Sequence, residues 1–189
     1  MSQFEIVTLS ISLILGLSVA QILGSIASAI RSRHESPLHW LPLCWATAIF
    51  LFHIQYWLAL LNLDDTVPSW TWDWYGPVLL SAVLLFFGGA LVLPVREGEL
   101  SKGLLRDFES HGKLALIPVS LYLAMWIPMN VRMGFAWVSP LNLVDVALVG
   151  LALLTLSTSR RGIREAATIL YLVVCVWGVF FVWTPHGLG

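Results

Sequence analysis

Four ionisable or basic side chains sit inside or at the rim of apolar stretches of this 189-residue chain: Glu5, His53, Arg132 and Asp145. A charge inside a bilayer is costly, so each is a candidate for binding or passing an ion or proton. Arg132 and Asp145 flank one short connection at matching distances. Antiparallel neighbours would bring them to one depth, which predicts a buried ion pair. Glu5 opens the first apolar run at the same level and, with Thr8 and Ser12, makes a polar line at helical spacing. His53 has Gln55 and Tyr56 beside it and no second intramembrane histidine to complete a b-type haem ligand pair. Proton relay, pH sensing and a bond to a neighbouring helix are its readings.

Met125 and Met129, followed by Met133, repeat at i+4. Thioethers are soft and suit Cu(I), and the spacing resembles the thioether step of copper-permeation channels. Pro128 interrupts the stripe, and adaptable methionines serve equally in packing. No metal and no cofactor is expected. HExxH, GxSxG, a P-loop and a dinucleotide-binding glycine turn are all missing, so the chain is not read as an enzyme. Cys44 and Cys175 are far apart, which gives no thiol redox motif.

The stretch "SWTWDWYGP" over 69–77 alternates aromatic and polar residues, with Asp64 and Asp65 just before it. Trp and Tyr concentrate where a membrane meets water. Alternation predicts that Trp70, Trp72 and Trp74 point one way, with Asp64, Asp65 and Asp73 forming an acidic rim. Such a collar would concentrate cations at a pore mouth. On the first helix, Ser12, Gly16, Ala20, Gly24 and Ser28 make a stripe at i+4. Small residues let helices approach closely in lipid, which predicts packing inside the bundle or against another subunit.

These residues need elements to hold them. The chain is 58% hydrophobic and 11% charged, where a soluble domain carries about 25% charged residues. Lipid must therefore be the solvent. A net charge of −1 gives no field for nucleic acid. Apolar runs near 4–30, 40–62, 76–95, 114–133, 140–157 and 165–183 are long enough to span. Together they predict one all-α membrane bundle over 1–189, six helices arranged as three hairpins. The polar segment between the third and fourth spans predicts a short amphipathic helix on the inner surface, with Leu100, Leu104, Leu105 and Phe108 on one face. The first helix has no basic residue before it and is too long for a signal sequence, so it is read as retained. Of the 10 Lys and Arg residues, all but Arg132 fall in the first, third and fifth connections. The positive-inside rule places those connections in the cytoplasm and both termini outside.

The opening "FEIVTLSISLILGLSVAQIL" and the later "LHWLPLCWATAIFLFHIQYWLALL" resemble small bacterial polytopic inner-membrane proteins of uncharacterised function. The resemblance covers about the first third of the chain. It implies a bacterial inner-membrane bundle with periplasmic termini and brings no activity with it. The residues point to a non-enzymatic channel or transporter-like protein with a cation-attracting mouth. Its partners would be the bilayer and a homo-oligomer or larger membrane complex. A scaffold, sensor or accessory subunit is the alternative, and an intramembrane lipid-acting enzyme the third reading.

Overall fold

The structure, a computed structural model, describes residues 3–34, 37–61, 63, 67, 69–94 and 103–182. Six helices are long and apolar enough to cross a membrane. They are α1 (Gln3–Arg31), α2 (Trp40–Leu61), α3 (Trp72–Val92), α5 (Leu116–Arg132), α6 (Pro140–Ser157) and α7 (Arg161–Trp177), with a short α4 (Leu104–Ser110) between the third and fourth spans. Backbone polar groups in lipid must bond within their own segment, so helix is the economical state for each apolar run.

The third and sixth spans begin earlier than the sequence predicts. Thr71 has extended backbone, φ −81° and ψ 167°, and α3 starts directly after it, which leaves Pro77 inside the helix. Asp64, Asp65 and Leu100 lie outside the described residues.

Helices α2, α3, α5, α6 and α7 pack in that order into a ring, which α7 closes against α2; α1 lies outside it, chiefly on α3. An aromatic column runs through the ring. Trp45 meets Tyr171 at 4.2 Å, Tyr171 meets Phe52 at 6.3 Å, Phe52 meets Tyr122 at 5.8 Å, and Tyr56 meets Trp126 at 5.8 Å.

Helix α1 turns Val7, Ile11, Leu15, Ser18, Ile22, Ser25 and Ala29 into the bundle. Their alternating three- and four-residue spacing gives a knobs-into-holes seam. The small-residue stripe takes another azimuth. Gly16, Ala20 and Gly24 are exposed, with Ser12 and Ser28 at its edges. A Cβ added at Gly16 or Gly24 would meet nothing within 4 Å. Packing inside the bundle is therefore not what this stripe does. The close approach belongs to α3. A Cβ on Gly88 would lie 2.8 Å from Val119 of α5, and one on Gly89 2.7 Å from Ser18 Oγ of α1.

The short helix expected between the third and fourth spans is α4, and Leu104 and Phe108 on its apolar face are each 1% exposed against the end of the bundle. Gly112 makes the room, since a Cβ there would stand 2.8 Å from the Phe108 ring.

Candidate functional site

The site begins at the entry to α6. Ser139 is the N-cap, its hydroxyl accepting from the Asn142 amide at 3.3 Å, and Pro140 follows in the first turn, where its missing N–H costs nothing. That start puts Asn142 and Asp145, three residues apart, on one helix face. Asn142 Nδ2 donates to the carbonyls of Ala136 at 3.0 Å and Trp137 at 3.4 Å. Its Oδ1 then accepts from Asn130 Nδ2 of α5 at 3.0 Å. The same Nδ2 lies 3.4 Å from Asp145 Oδ2. Asp145 is 3% exposed, and no cationic side chain pairs with it among the described residues.

The predicted Arg132–Asp145 pair does not form. Residues 130 and 132 point about 200° apart on an α-helix. With Asn130 facing α6, Arg132 must face away. It reaches α3 instead, donating from Nη1 to the Asp73 carbonyl at 2.9 Å and lying 4.4 Å over the Trp74 ring. Pro77 explains the open carbonyl. Four residues after Asp73, it has no N–H to give, so the carbonyl has no helical donor. Arg132→Gln is expected to lower the melting temperature, by about 1–2 kcal/mol of stability. Pro77→Ala restores a helical donor to Asp73, so Arg132→Gln in that background should cost clearly less. Equal losses in both backgrounds would show that the arginine does not serve this carbonyl.

The four candidate charges thus occupy separate surroundings. Glu5 is exposed on α1. His53, 1% exposed, faces α1: Nδ1 donates to the Ile49 carbonyl at 2.7 Å, and Nε2 accepts from Ser18 Oγ at 2.7 Å. A carbonyl only accepts, so this arrangement needs the proton on Nδ1. One neutral tautomer then satisfies both bonds.

Nor do the tryptophans share a direction. Trp70 packs against Phe4 at 5.5 Å, Trp72 is 72% exposed, and Trp74 lies beneath Arg132. The cause is the early start of α3: every second residue shares one side in a strand but not in a helix. Asp73 is exposed beside them. Met129 is 6% exposed in the apolar core, and Met133 packs against that core. Met125 is half-buried. Among the described residues, no three His, Cys, Asp or Glu side chains gather to hold a metal ion.

Asn130, Asn142, Tyr122, Tyr171, Trp126 and Ser120 went unremarked in the sequence. Asn130 is the hydrogen-bond partner of Asp145, and Asn142 orients Asn130. Tyr122 and Tyr171 lie within electrostatic reach of Asp145, as does Cys175 of both tyrosines. Tyr122 donates to Gln55 Oε1 at 3.3 Å, and Tyr56 to the Val78 carbonyl at 2.5 Å. The Tyr171 hydroxyl, Trp126 Nε1 and Ser120 Oγ are buried without a hydrogen-bond partner among the described residues. The signal was present: Asn142 and Asp145 at i, i+3 share a face by spacing alone.

The opposite end is basic. Arg164, 5% exposed, pairs with Glu109 of α4, and its backbone carbonyl accepts from Thr168, which in turn accepts from Trp45 Nε1 at 3.1 Å. His39 accepts from the Leu41 amide at 3.2 Å. Burial, and then Arg161, holds its pKa below the ordinary 6.5.

No protein-family model matches this chain, and neither the curated proteins nor the solved structures contain a match to it.

Proposed function

We propose that the protein is a non-enzymatic, transporter-like membrane protein that carries a cation through its helical ring, with Asp145 as the binding group. One observation carries this reading: a carboxyl buried in a membrane helix faces two asparagines and has no cationic partner among the described residues. A purely structural carboxyl at that depth is expected to be paired, because an uncompensated charge costs several kcal/mol. Asp145 lies about 8 Å along α6 from Pro140, toward the end of the bundle that holds Trp74, Arg132 and exposed Asp73. The aromatic column fills the ring beyond it, which favours a carrier that opens to one side at a time over a standing pore.

The basic connections favour an orientation with residues 69–77 outside and both termini periplasmic, in a bacterial inner membrane as the resemblance of the first third implies. The bare face of α1 favours a second reading, an accessory subunit or scaffold. Ser12, Gly16, Ala20, Gly24 and Ser28 would admit another helix closely, a second copy of this chain included. The two readings are compatible, since a carrier can assemble through α1.

Cation flux into liposomes containing the purified protein tests the carrier. Flux above protein-free liposomes is expected, with at least a tenfold loss in Asp145→Asn at an unchanged fold. Folded protein that moves no cation would sink the reading.

A further inference from the structure

We infer that the cation is a proton, held on and released from Asp145; this rests on the carrier reading above and names its substrate.

The orientation of the two amides decides it. Asn142 Nδ2 is fixed by the backbone carbonyls of Ala136 and Trp137, which only accept. Asn142 Oδ1 must therefore face Asn130, and Asn130 must answer with Nδ2 at 3.0 Å. That same Nδ2 is the group 3.4 Å from Asp145 Oδ2. Turning the Asn130 amide over would set oxygen against oxygen. The chain of constraints starts at rigid backbone and ends at the carboxyl, so Asp145 meets an N–H and not a carbonyl oxygen.

A hard metal cation needs several converging oxygens. Here the first polar neighbour is a donor. Tyr122 and Tyr171 interact with Asp145 electrostatically, and among the described residues no three His, Cys, Asp or Glu side chains gather to hold a metal ion. A proton needs one oxygen lone pair. Asp145 Oδ1 supplies it, while the Asn130 N–H steadies Oδ2 in the ionised form.

A second observation points to the route. The Tyr171 hydroxyl is buried and has no hydrogen-bond partner among the described residues, in a residue 1% exposed. A buried hydroxyl left unsatisfied calls for water or an exchanging proton. Tyr122 of α5, bonded to Gln55, and Tyr171 of α7 both border the Phe52 ring, and each interacts electrostatically with Asp145. No Lys, Arg or His side chain pairs with Asp145 among the described residues, and Arg132 turns to α3. The step balances simply: the carboxylate gains a proton from water reaching one side and, once neutral, returns it to water on the other. No other bond is made or broken.

Two measurements test this on the whole protein. In liposomes holding a pH-sensitive dye, with charge compensated by a potassium ionophore, a pH gradient should drive proton uptake. Exchanging external sodium for choline should leave the rate unchanged. Asp145→Asn should reduce it at least tenfold, and Tyr171→Phe severalfold. Flux that follows sodium or potassium without proton movement overturns the proton assignment and leaves the carrier standing. Infrared difference spectra give a reading independent of transport. A carboxylic C=O band that grows and fades with pH, absent in Asp145→Asn and shifted in Asp145→Glu, supports the exchanging proton even where nothing is transported. No such titrating band in the parent overturns it. Asp145→Glu also serves should the asparagine variant fail to fold.

Discussion

Gly89→Ala is expected to destabilise the protein by about 1–3 kcal/mol, although glycine to alanine inside a helix normally stabilises by about 1 kcal/mol. The reversed sign is the point. A Cβ at residue 89 would stand 2.7 Å from Ser18 Oγ, 2.8 Å from Ile22 Cδ1 and 3.0 Å from Ile22 Cγ1. The isoleucine tip can give way, but Ser18 is tied: its hydroxyl bonds to His53 Nε2 at 2.7 Å, and His53 is anchored to the Ile49 carbonyl at 2.7 Å. Relief would break the Ser18–His53 bond or part α1 from α3. Breaking the bond leaves a buried ring nitrogen unsatisfied, which costs about 1–3 kcal/mol. Parting the helices removes packing that, in lipid, no hydrophobic drive replaces. Gly16→Ala is the control, because its Cβ would meet nothing within 4 Å, and it should melt at or above the parent temperature. Thermal melting in detergent decides the matter. A Gly89→Ala protein as stable as Gly16→Ala would mean that α1 and α3 are not in close approach there.

That pair of glycines also marks where sequence reading stops. The six spans were legible because length and hydropathy alone define them. Which face of a span turns inward was not, since in lipid both faces are apolar. On α1 the stripe Ser12–Gly16–Ala20–Gly24–Ser28 and the seam through Ile11, Leu15, Ser18 and Ile22 are equally periodic, and only the second is buried. Pairing Arg132 with Asp145 failed for the same reason. Matching distances from a loop fix depth, but azimuth decides contact, and Asn130 holds the azimuth that faces α6. The tryptophan collar failed differently. Alternation sets Trp70, Trp72 and Trp74 on one side only where the backbone is extended, whereas Thr71 caps a helix whose first turn holds Trp72 and Trp74. His53 was legible as far as its class of role: a lone imidazole among apolar neighbours satisfies itself on the next helix. The Asp145 surroundings were half legible, because asparagines near a buried aspartate read as ordinary polar residues until backbone carbonyls fix which way their amides point.

Removing the carboxylate at Glu109 carries the other large effect. Arg164 enters α7 one turn after its start and is 5% exposed, yet arginine cannot shed its charge there. Its partner, Glu109, is 40% exposed and sits on α4, a helix of 7 residues with little else than Leu104 and Phe108 to hold it. Breaking a fully buried pair from one side costs about 3–5 kcal/mol. The partial exposure of Glu109 screens the pair, so Glu109→Gln is expected to cost about 2–3 kcal/mol. The double variant Glu109→Gln with Arg164→Met should recover much of this, because the loss comes chiefly from stranding a buried cation. The local consequence differs from that at Gly89. Without the pair, α4 loses its link to α7 and relies chiefly on Leu104 and Phe108, so limited proteolysis should cut between α3 and α5 faster in Glu109→Gln than in the parent, while the α1–α3 seam stays protected. A single variant that melts and is cleaved like the parent would show that the basic end closes by packing and not by this charge pair. The design has a physical logic at a membrane boundary: a buried arginine is tolerable only beside a carboxylate, and that carboxylate draws the connector over the end of the ring, where Phe108 fills the space that Gly112 leaves.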